Sequence, residues 1–263
     1  MRSDFEIISK RFASDVKLIP VADVHFGAIN HQRDEWKRFC SMVEKEDVQL
    51  ILAGDLINNN TRSSVGSPFD DFIRPKEQKR EMVEMLKPIA DKILCIIPGN
   101  HERRSQKDAD DDPAYDIAAK LDLEDIYRQD AAFLSVKIGE RNKGTHRRNV
   151  PRVSYNIVVT HGSGGGIYTG ATVNRNERWG NVIDGVDLLI VGHTHKGTVT
   201  RPAKMIFDSR CDHVYMREYV VISCVAWQAY SGYAAQKMLL PSQTARPQIV
   251  YLGGKERNIE VHW

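Results

Sequence analysis

Short apolar runs, each closed by a small polar cluster, recur along most of the chain. The five clearest runs are 17–22, 48–53, 93–97, 154–160 and 186–191. Short runs rich in Ile, Val and Leu are typical of strands that are buried on both faces. If these strands lie in open α/β sheets, their polar clusters are expected to meet at the carboxyl edge, where such sheets bind ligands.

Helical periodicity separates the first three of these runs. One apolar stripe at positions i, i+3, i+4 and i+7 is formed by Trp36, Phe39, Cys40 and Val43. Proline opens two further predicted helices, 75–89 and 113–121, in the position where the first helical turn tolerates it. Alternating strands and helices predict an α/β organisation.

The pattern changes to β-type alternation after about residue 200. The alternating segments are 213–223, 248–252 and 258–262, and they predict an antiparallel second sheet. Two polar segments without periodicity, 58–74 and 161–170, each follow a polar cluster. They are candidate active-site loops, and plain surface connections are the equal alternative.

Composition narrows the class of protein without identifying a function. The 263 residues are 41% hydrophobic and 27% charged, which fits one large or two small globular domains and excludes collagen-like and disordered chains. The formal net charge of +2 gives no global field for nucleic acid or membrane, so any such argument must come from local clusters.

Several features favour a cytoplasmic protein. Residues 1–16 carry charges throughout, so no signal peptide is expected, and no stretch approaches the roughly 18 apolar residues of a membrane helix. The four cysteines are widely spaced, which argues against structural zinc and fits a reducing compartment.

The histidines supply the strongest functional signal. Five of the nine lie in the polar clusters, namely His25, His101, His161, His193 and His195. A single His after a strand is more often a hydrogen-bonded structural residue than a ligand. Five clusters in succession are different, because grouping so many titratable side chains is costly unless something binds them. Divalent cations that accept imidazole and carboxylate ligands explain the pattern economically.

Five motifs together resemble those of the calcineurin-like metallophosphoesterases. They are Asp23-x-His25, Gly54-Asp55, Gly99-Asn100-His101-Glu102, His161-Gly162 and Gly192-His193-Thr194-His195. They occur in the family's order and span 23–195, about two thirds of the chain. The resemblance implies an α/β (α+β) fold, a two-sheet β-sandwich flanked by α-helices. We expect a single domain over 1–263, with the β-rich part 205–263 completing the second sheet.

The resemblance also implies a centre of two divalent metal ions. One ion would be held by Asp23, His25, Asp55 and His195, and the other by Asn100, His161 and His193, with Asp55 bridging both. Mn²⁺ is the expected metal, with Fe, Zn, Co, Ni or Mg as alternatives. A bridging carboxylate suits the ~3.5–4 Å separation of a two-metal clamp on phosphorus. On extended segments, Asp23 and His25 would point to one side, as would His193 and His195.

The implied reaction is in-line attack on a phosphodiester by a hydroxide that bridges the two metals. His101 follows a ligand but is not itself one in the family. It is the implied catalytic residue, as proton donor to the leaving oxygen or stabiliser of transition-state charge. Glu102 is expected to be a solvated loop acid, with an ion pair to a neighbouring cation as the alternative.

One departure from the family argues against a protein phosphatase. In those members an Asp three residues after the Gly-Asp motif orients the catalytic His, and a following Arg binds phosphate. Here the corresponding residues are Asn58 and Asn59. Neither supplies the charge of an Asp or a guanidinium.

The substrate is less well indicated. Basic residues are concentrated in 137–152 and again directly after the Asn-His-Glu motif. Basic residues around a metal site favour binding of a polyanionic substrate. For 137–152, a solvated hairpin tip is an equally good interpretation. The candidate substrate-binding residues are Asn58, Arg103, Arg104, Arg147 and Arg148. Aromatic residues of the later loop, namely Trp227, Tyr230 and Tyr233, could stack on bases or belong to a satellite core.

Three functions stay open at this point. The first is a phosphodiesterase or nuclease that resembles the family's DNA-end-processing exonucleases, and the second is a phosphomonoesterase or pyrophosphatase acting on a nucleotide or other small molecule. A non-catalytic binding subunit is the third, but all seven ligand positions are filled. The expected partner is a phosphate-ester substrate, with nucleic acid and a second copy of the chain as further candidates, and no membrane.

Overall fold

Thirteen strands and six helices are found in the computed structural model, which describes residues 5–62, 64, 66, 69, 71–139 and 153–263. The strands are β1 (Ile7–Phe12), β2 (Val16–Val21), β3 (Gln49–Ala53), β4 (Ile93–Ile97), β5 (Ala131–Ile138), β6 (Val153–Thr160), β7 (Leu188–Val191), β8 (Thr198–Thr200), β9 (Ala203–Asp208), β10 (His213–Glu218), β11 (Val220–Ser223), β12 (Ile249–Leu252) and β13 (Ile259–His262). The helices are α1 (Arg33–Lys45), α2 (Pro75–Leu86), α3 (Glu102–Ala109), α4 (Pro113–Lys120), α5 (Thr169–Val182) and α6 (Gly232–Gln236).

Two large sheets contain most of the strands. The first has the order β13-β12-β2-β3-β4, and β2, β3 and β4 run parallel. The second has the order β1-β5-β6-β7-β11-β8, and β6, β7 and β11 run parallel. The five runs predicted as strands are therefore β2, β3 and β4 of the first sheet and β6 and β7 of the second, and their carboxyl ends carry the polar clusters.

One hydrophobic core joins the two sheets. It includes Leu18 of β2, Leu50 of β3, Leu134 of β5 and Ile190 of β7, all of which are buried. The apolar stripe of α1 packs on the same core through Trp36. A smaller cluster on the other face of the six-stranded sheet contacts Ile183, directly after α5. The predicted two-sheet α/β fold with flanking helices is confirmed.

The strands after residue 200 do not form one antiparallel second sheet, so that expectation is wrong. Segment 213–223 is two strands: β10 pairs only with β9, whereas β11 lies between β7 and β8. The reason is burial, because every residue of β11 is buried while β10 is almost wholly exposed. The last two strands, β12 and β13, extend the five-stranded sheet.

A buried tyrosine links the two sheets away from the strand ends. Tyr155 of β6 donates its hydroxyl to the Gly253 carbonyl at 2.6 Å and accepts the Asn258 N–H at 2.9 Å. Both partners lie in the turn between β12 and β13 of the other sheet. The two sheets are thus held together by a hydrogen-bonded contact as well as by the apolar core.

Within the part of the chain that is described, no helix has the length and apolarity to cross a bilayer.

Candidate metal centre

The five polar clusters meet where the two sheets come together. Asp23 and Asp55 follow β2 and β3 of the first sheet, and Asn100 follows β4. His161 and His193 follow β6 and β7 of the second sheet. All of the seven predicted ligands are brought together at this junction, and Asp23, His25, Asp55 and His161 are buried there.

Direct hydrogen bonds join the sheets at the same place. The backbone N–H of His193 donates to both carboxylate oxygens of Asp23, at 3.1 and 2.9 Å. His161 donates from Nδ1 to the carbonyl of Ala53 at 2.8 Å, which leaves its Nε2 facing the other ligands. Each sheet therefore orients side chains of the other, and the centre depends on both.

The backbone at the ligands is left-handed rather than extended, which corrects the sequence prediction. The positive φ angles are 54° at Asp23, 49° at His25, 53° at Asp55, 71° at His193 and 56° at His195. A left-handed backbone at a non-glycine residue costs about 1–3 kcal/mol of conformational free energy, and residues strained in this way cluster at functional sites. The side chains of each pair converge because the chain turns sharply after the strand, and not because of strand alternation.

Two glycines permit this close approach. A Cβ at Gly99 would lie 2.1 Å from the Asp55 carboxylate oxygen, and a Cβ at Gly54 would lie 2.6 Å from the Gly99 backbone. Gly54 also has φ of +91°, in the region that side chains disfavour. The small residue in each of these two motifs is therefore required by packing around Asp55.

The first donor group consists of Asp23, His25 and His195. The Nε2 atoms of His25 and His195 are 3.0 Å apart, and Oδ1 of Asp23 lies 3.8 and 3.3 Å from them respectively. Two imidazole lone pairs at this distance repel unless a proton or a cation lies between them. Nitrogen and oxygen donors of this kind suit Mn, Fe or Zn.

The second donor group surrounds Asn100 and Asp55. Oδ1 of Asn100 lies 2.7 Å from Nδ1 of His193 and 3.0 Å from Nε2 of His161. Oδ2 of Asp55 lies 3.2 Å from Nε2 of His161 and 3.8 Å from Nε2 of His25. Asp55 therefore faces both groups, as a bridging ligand must.

The electrostatics of the bare donor set also fit a cation. Burial opposes ionisation of Asp55, but His161 and His101 outweigh it and hold the pKa of Asp55 well below its ordinary range. Burial opposes protonation of His161, yet Asp55 and Asp23 raise its pKa to about 10. Burial and the neighbouring His101 lower the pKa of His25. The carboxylates thus favour positive charge on the neighbouring imidazoles. A divalent ion would compete with protons for the imidazole nitrogens and carboxylate oxygens.

The imidazole ring of His101 lies beside Asp55 of the second donor group and is oriented by a backbone carbonyl on its other side. Its Nδ1 donates to the backbone carbonyl of Asn58 at 2.6 Å, and its Nε2 lies 3.8 Å from Oδ2 of Asp55. Since Nδ1 carries the proton, the neutral ring presents a lone pair at Nε2. His25, Asp55 and His101 form a third group close enough to hold an ion, so distance alone does not separate His101 from the ligands.

With this geometry in view, comparison of the sequence with protein families is decisive. Residues 16–197 match the family model described as calcineurin-like phosphoesterase. The chain belongs to the calcineurin-like phosphoesterase family. Members of this family hydrolyse phosphoesters and generally bind divalent metals. No curated protein matches this phosphoesterase at a significant level.

Three solved structures are similar to this phosphoesterase at low sequence identity. The phosphoesterase Yfce from E. coli is 14% identical with a TM-score of 0.43, over 94% of this chain and 98% of that chain. A metallophosphoesterase from Sphaerobacter thermophilus is also 14% identical with a TM-score of 0.43, over 94% and 87%. The NAD nucleotidase NadN from Haemophilus influenzae is 9% identical with a TM-score of 0.39, over 95% and 49%.

The Asn58–Asn60 segment of the phosphoesterase is held by buried amide contacts. The side-chain amide of Asn58 donates to Asp71 at 2.6 Å, and that of Asn60 donates to Asp71 at 2.9 Å. Asn59 donates its side-chain N–H to the His101 carbonyl at 2.8 Å and its backbone N–H to Gln78 at 2.9 Å. These contacts fix the loop whose carbonyl orients His101. The Asn58 side chain, a predicted substrate contact, is engaged with Asp71.

The predicted arginines of the phosphoesterase differ in their surroundings. The guanidinium of Arg104 lies beside His101, with its nitrogens 3.0 Å from Nδ1 and 2.9 Å from Nε2. Arg103 instead contacts the Asp130 carboxylate and the Gln129 carbonyl. Arg147 and Arg148 lie outside the described residues. Of the aromatic loop, Trp227 is fully buried against Trp36, whereas Tyr230 is about half exposed.

Glu102 is the residue whose role the sequence argument missed. Instead of being a solvated loop acid, it is buried and accepts the backbone N–H groups of Asp55 at 3.0 Å, Ile57 at 3.1 Å and Gly99 at 2.8 Å. Burial and the Asp55 carboxylate raise its pKa. It ties the loops after β3 and β4 together. Its position in the Asn-His-Glu motif was the available signal, but two of the three donors, Asp55 and Ile57, belong to a segment distant in sequence.

Removal of this carboxylate tests its role. We expect Glu102→Ala to lower the free energy of unfolding by about 2–4 kcal/mol, because it leaves buried N–H groups without an acceptor. Metal affinity should fall about 10–100-fold, as is typical when a group that orients ligands is lost. Urea unfolding and metal titration measure the two effects. Glu44→Ala, an exposed change on α1, is the control. Unchanged unfolding in Glu102→Ala would contradict this role.

Proposed function

We propose that the chain is a two-metal phosphodiesterase. One ion would be held by Asp23, His25, Asp55 and His195, and the other by Asn100, His161, His193 and the shared Asp55. The observation that carries the proposal is the pair of donor groups Asp23-His25-His195 and Asp55-His161-His193, with Oδ2 of Asp55 also 3.8 Å from Nε2 of His25 in the first group. When bound, two divalent ions supply charge neutralisation at the phosphoryl oxygens and activation of a water nucleophile. The remaining steps belong to the chain's own side chains.

His101 would act on the leaving oxygen of the ester. The carbonyl of Asn58 fixes the ring so that Nε2 faces the donor groups. To act there the ring must first take up a proton at Nε2: the imidazolium then gives that proton to the leaving oxygen, or stabilises its developing charge, and returns to the neutral ring with its proton on Nδ1. A backbone carbonyl thus orients the ring, which is why Asn at position 58 does not remove the function expected of an Asp there.

Arg104 would contact the phosphate beside His101. Its guanidinium is held in place by the side-chain oxygen of Asn60 at 3.1 Å. Asn59, which replaces the phosphate-binding Arg of the protein phosphatases, is buried and already bonded to the His101 carbonyl. A single described guanidinium suits the monoanion of a diester better than the dianion of a monoester. This charge balance is the basis for placing diesters ahead of monoesters.

Substitution of His101 separates catalysis from metal binding. We expect His101→Gln to keep its full metal content while turnover falls ~10²–10⁴-fold, the usual contribution of a positioned proton donor. Metal analysis and steady-state kinetics give the two readouts. His213→Gln, a change of an exposed histidine on β10, is the control. Turnover near that of the unmodified chain would refute the catalytic role, and loss of one ion would make His101 a ligand.

A panel of substrates tests the reaction class. The panel contains a bis-aryl phosphodiester, a mono-aryl phosphate, and labelled single- and double-stranded DNA, each with Mn²⁺ and with a chelator. We expect the diester to be hydrolysed faster than the monoester and the chelator to abolish both activities. Exclusive turnover of the monoester would overturn the proposal. Cleavage of DNA with affinity that falls steeply with salt would identify a nuclease.

A further inference from the structure

The two side chains proposed to act on the ester are each held by an asparagine of the loop after β3. The backbone carbonyl of Asn58 accepts the Nδ1–H of His101 at 2.6 Å. The side-chain oxygen of Asn60 accepts an N–H of Arg104 at 3.1 Å. The positions of the imidazole ring and of the guanidinium therefore depend on where these two asparagines lie.

Both asparagines are bonded to one carboxylate oxygen. The side-chain N–H groups of Asn58 and Asn60 donate to Oδ1 of Asp71, at 2.6 and 2.9 Å respectively. Both asparagines are buried, and a buried donor that loses its acceptor is costly because water does not replace it. A single oxygen atom thus fixes the residue that holds the ring and the residue that holds the guanidinium.

Asp71 is itself anchored on two sides. Its Oδ2 accepts a side-chain N–H of Gln78 at 2.8 Å, and Gln78 is fully buried on α2. Its backbone forms an isolated antiparallel bridge with Ala28, in the loop that follows the predicted ligand His25. The carboxylate therefore has a fixed position, which it passes on to the amides that donate to it.

The charge of Asp71 also acts on Arg104. Burial lowers the pKa of Arg104, and the carboxylates of Asp55, Glu102 and Asp71 oppose that shift. Burial raises the pKa of Asp71, whereas its amide donors favour the charged form. Asp71 thus stabilises the charged guanidinium in addition to bonding the asparagine that holds it.

From these contacts we infer that Asp71 is a positioning residue, which sets the places of both His101 and Arg104 through the asparagine loop. The inference rests on the proposed function and deepens it, because proton transfer to the leaving oxygen and contact with the phosphate then depend on one carboxylate. The three groups of described residues that could hold a metal do not include Asp71. Its removal should therefore leave the metal content unchanged.

Asp71→Ala removes all three contacts and is the principal variant. Metal analysis and circular dichroism should give the ion content and the fold of the unmodified chain. Glu84→Ala, which removes an exposed acid from α2, is the matched control. If Asp71→Ala does not fold, Asp71→Asn replaces one acceptor oxygen by an NH₂ group, and the losses described below should be smaller but in the same direction.

Two diesters that differ in the leaving group test the link to His101. The leaving oxygen of methyl p-nitrophenyl phosphate departs without a proton, whereas that of methyl phenyl phosphate needs one. We expect Asp71→Ala to lower turnover of the phenyl ester ~10–100-fold, as when a catalytic group loses its support, and to lower turnover of the nitrophenyl ester several times less. In the His101→Gln background, Asp71→Ala should not widen this difference, because residues that act as a unit are not additive.

Binding of inorganic phosphate tests the link to Arg104 without turnover. Calorimetric titration into the Mn²⁺-loaded chain should show about tenfold weaker binding in Asp71→Ala, because the guanidinium that meets the phosphate is no longer held. In the Arg104→Gln background the same change should weaken binding no further.

The outcomes separate this inference from the proposed function. Equal loss of turnover for the two diesters, or a phosphate affinity equal to that of Glu84→Ala, overturns the role of Asp71 even if diesters are hydrolysed. Loss of an ion in Asp71→Ala also overturns it, since the carboxylate would then act on the donor groups. If no ester is hydrolysed, the proposed phosphodiesterase fails. A phosphate affinity that Asp71→Ala lowers, but not in the Arg104→Gln background, still supports the positioning role.

Discussion

Two carboxylates and five imidazoles meet at the junction of the two sheets, four of these seven groups being buried and three half-buried, and this concentration of ionisable groups is the constraint on which the structure depends. Asp55 alone lies within 3.8 Å of imidazole nitrogens from His25, His101 and His161. Groups of this kind are costly to bury unless they are paired or coordinate a cation. The fold therefore has to deliver the side chains accurately and also has to supply a place for compensating positive charge.

The chain meets this requirement with parallel strands and tight turns. The parallel strands β2, β3, β4, β6 and β7 are each followed by one ligand segment at the junction, and the core between the sheets fixes how those strands lie. Left-handed backbone at Asp23 and Asp55, and the lack of a side chain at Gly99, let the ligands approach one another. Glu102 then ties the loops together through three backbone N–H groups. Strain at the ligands is tolerated because the surrounding packing overdetermines it.

Sequence reasoning succeeded where the signal was local. Buried runs closed by Asp, His or Asn located the strand ends, and the α1 stripe marked a helix that packs as expected. It failed where the deciding contact joins distant segments. The Asp55 and Ile57 donors to Glu102, the Asn58 carbonyl behind His101, and the separation of β10 from β11 into different sheets depend on packing that no local pattern encodes. Strand alternation correctly predicted that the side chains of Asp23 and His25 converge, but the reason was wrong. Their convergence is produced by the left-handed turn that follows the strand.

The central claim is that the two donor groups hold two ions through a shared Asp55. Equilibrium dialysis against Mn²⁺ followed by metal analysis of the folded chain measures this directly, with circular dichroism to show that each variant is folded. The account predicts two ions per chain in the unmodified protein and one or none in Asp55→Asn. One ion or none in the unmodified protein, or two retained without the Asp55 carboxylate, would contradict it.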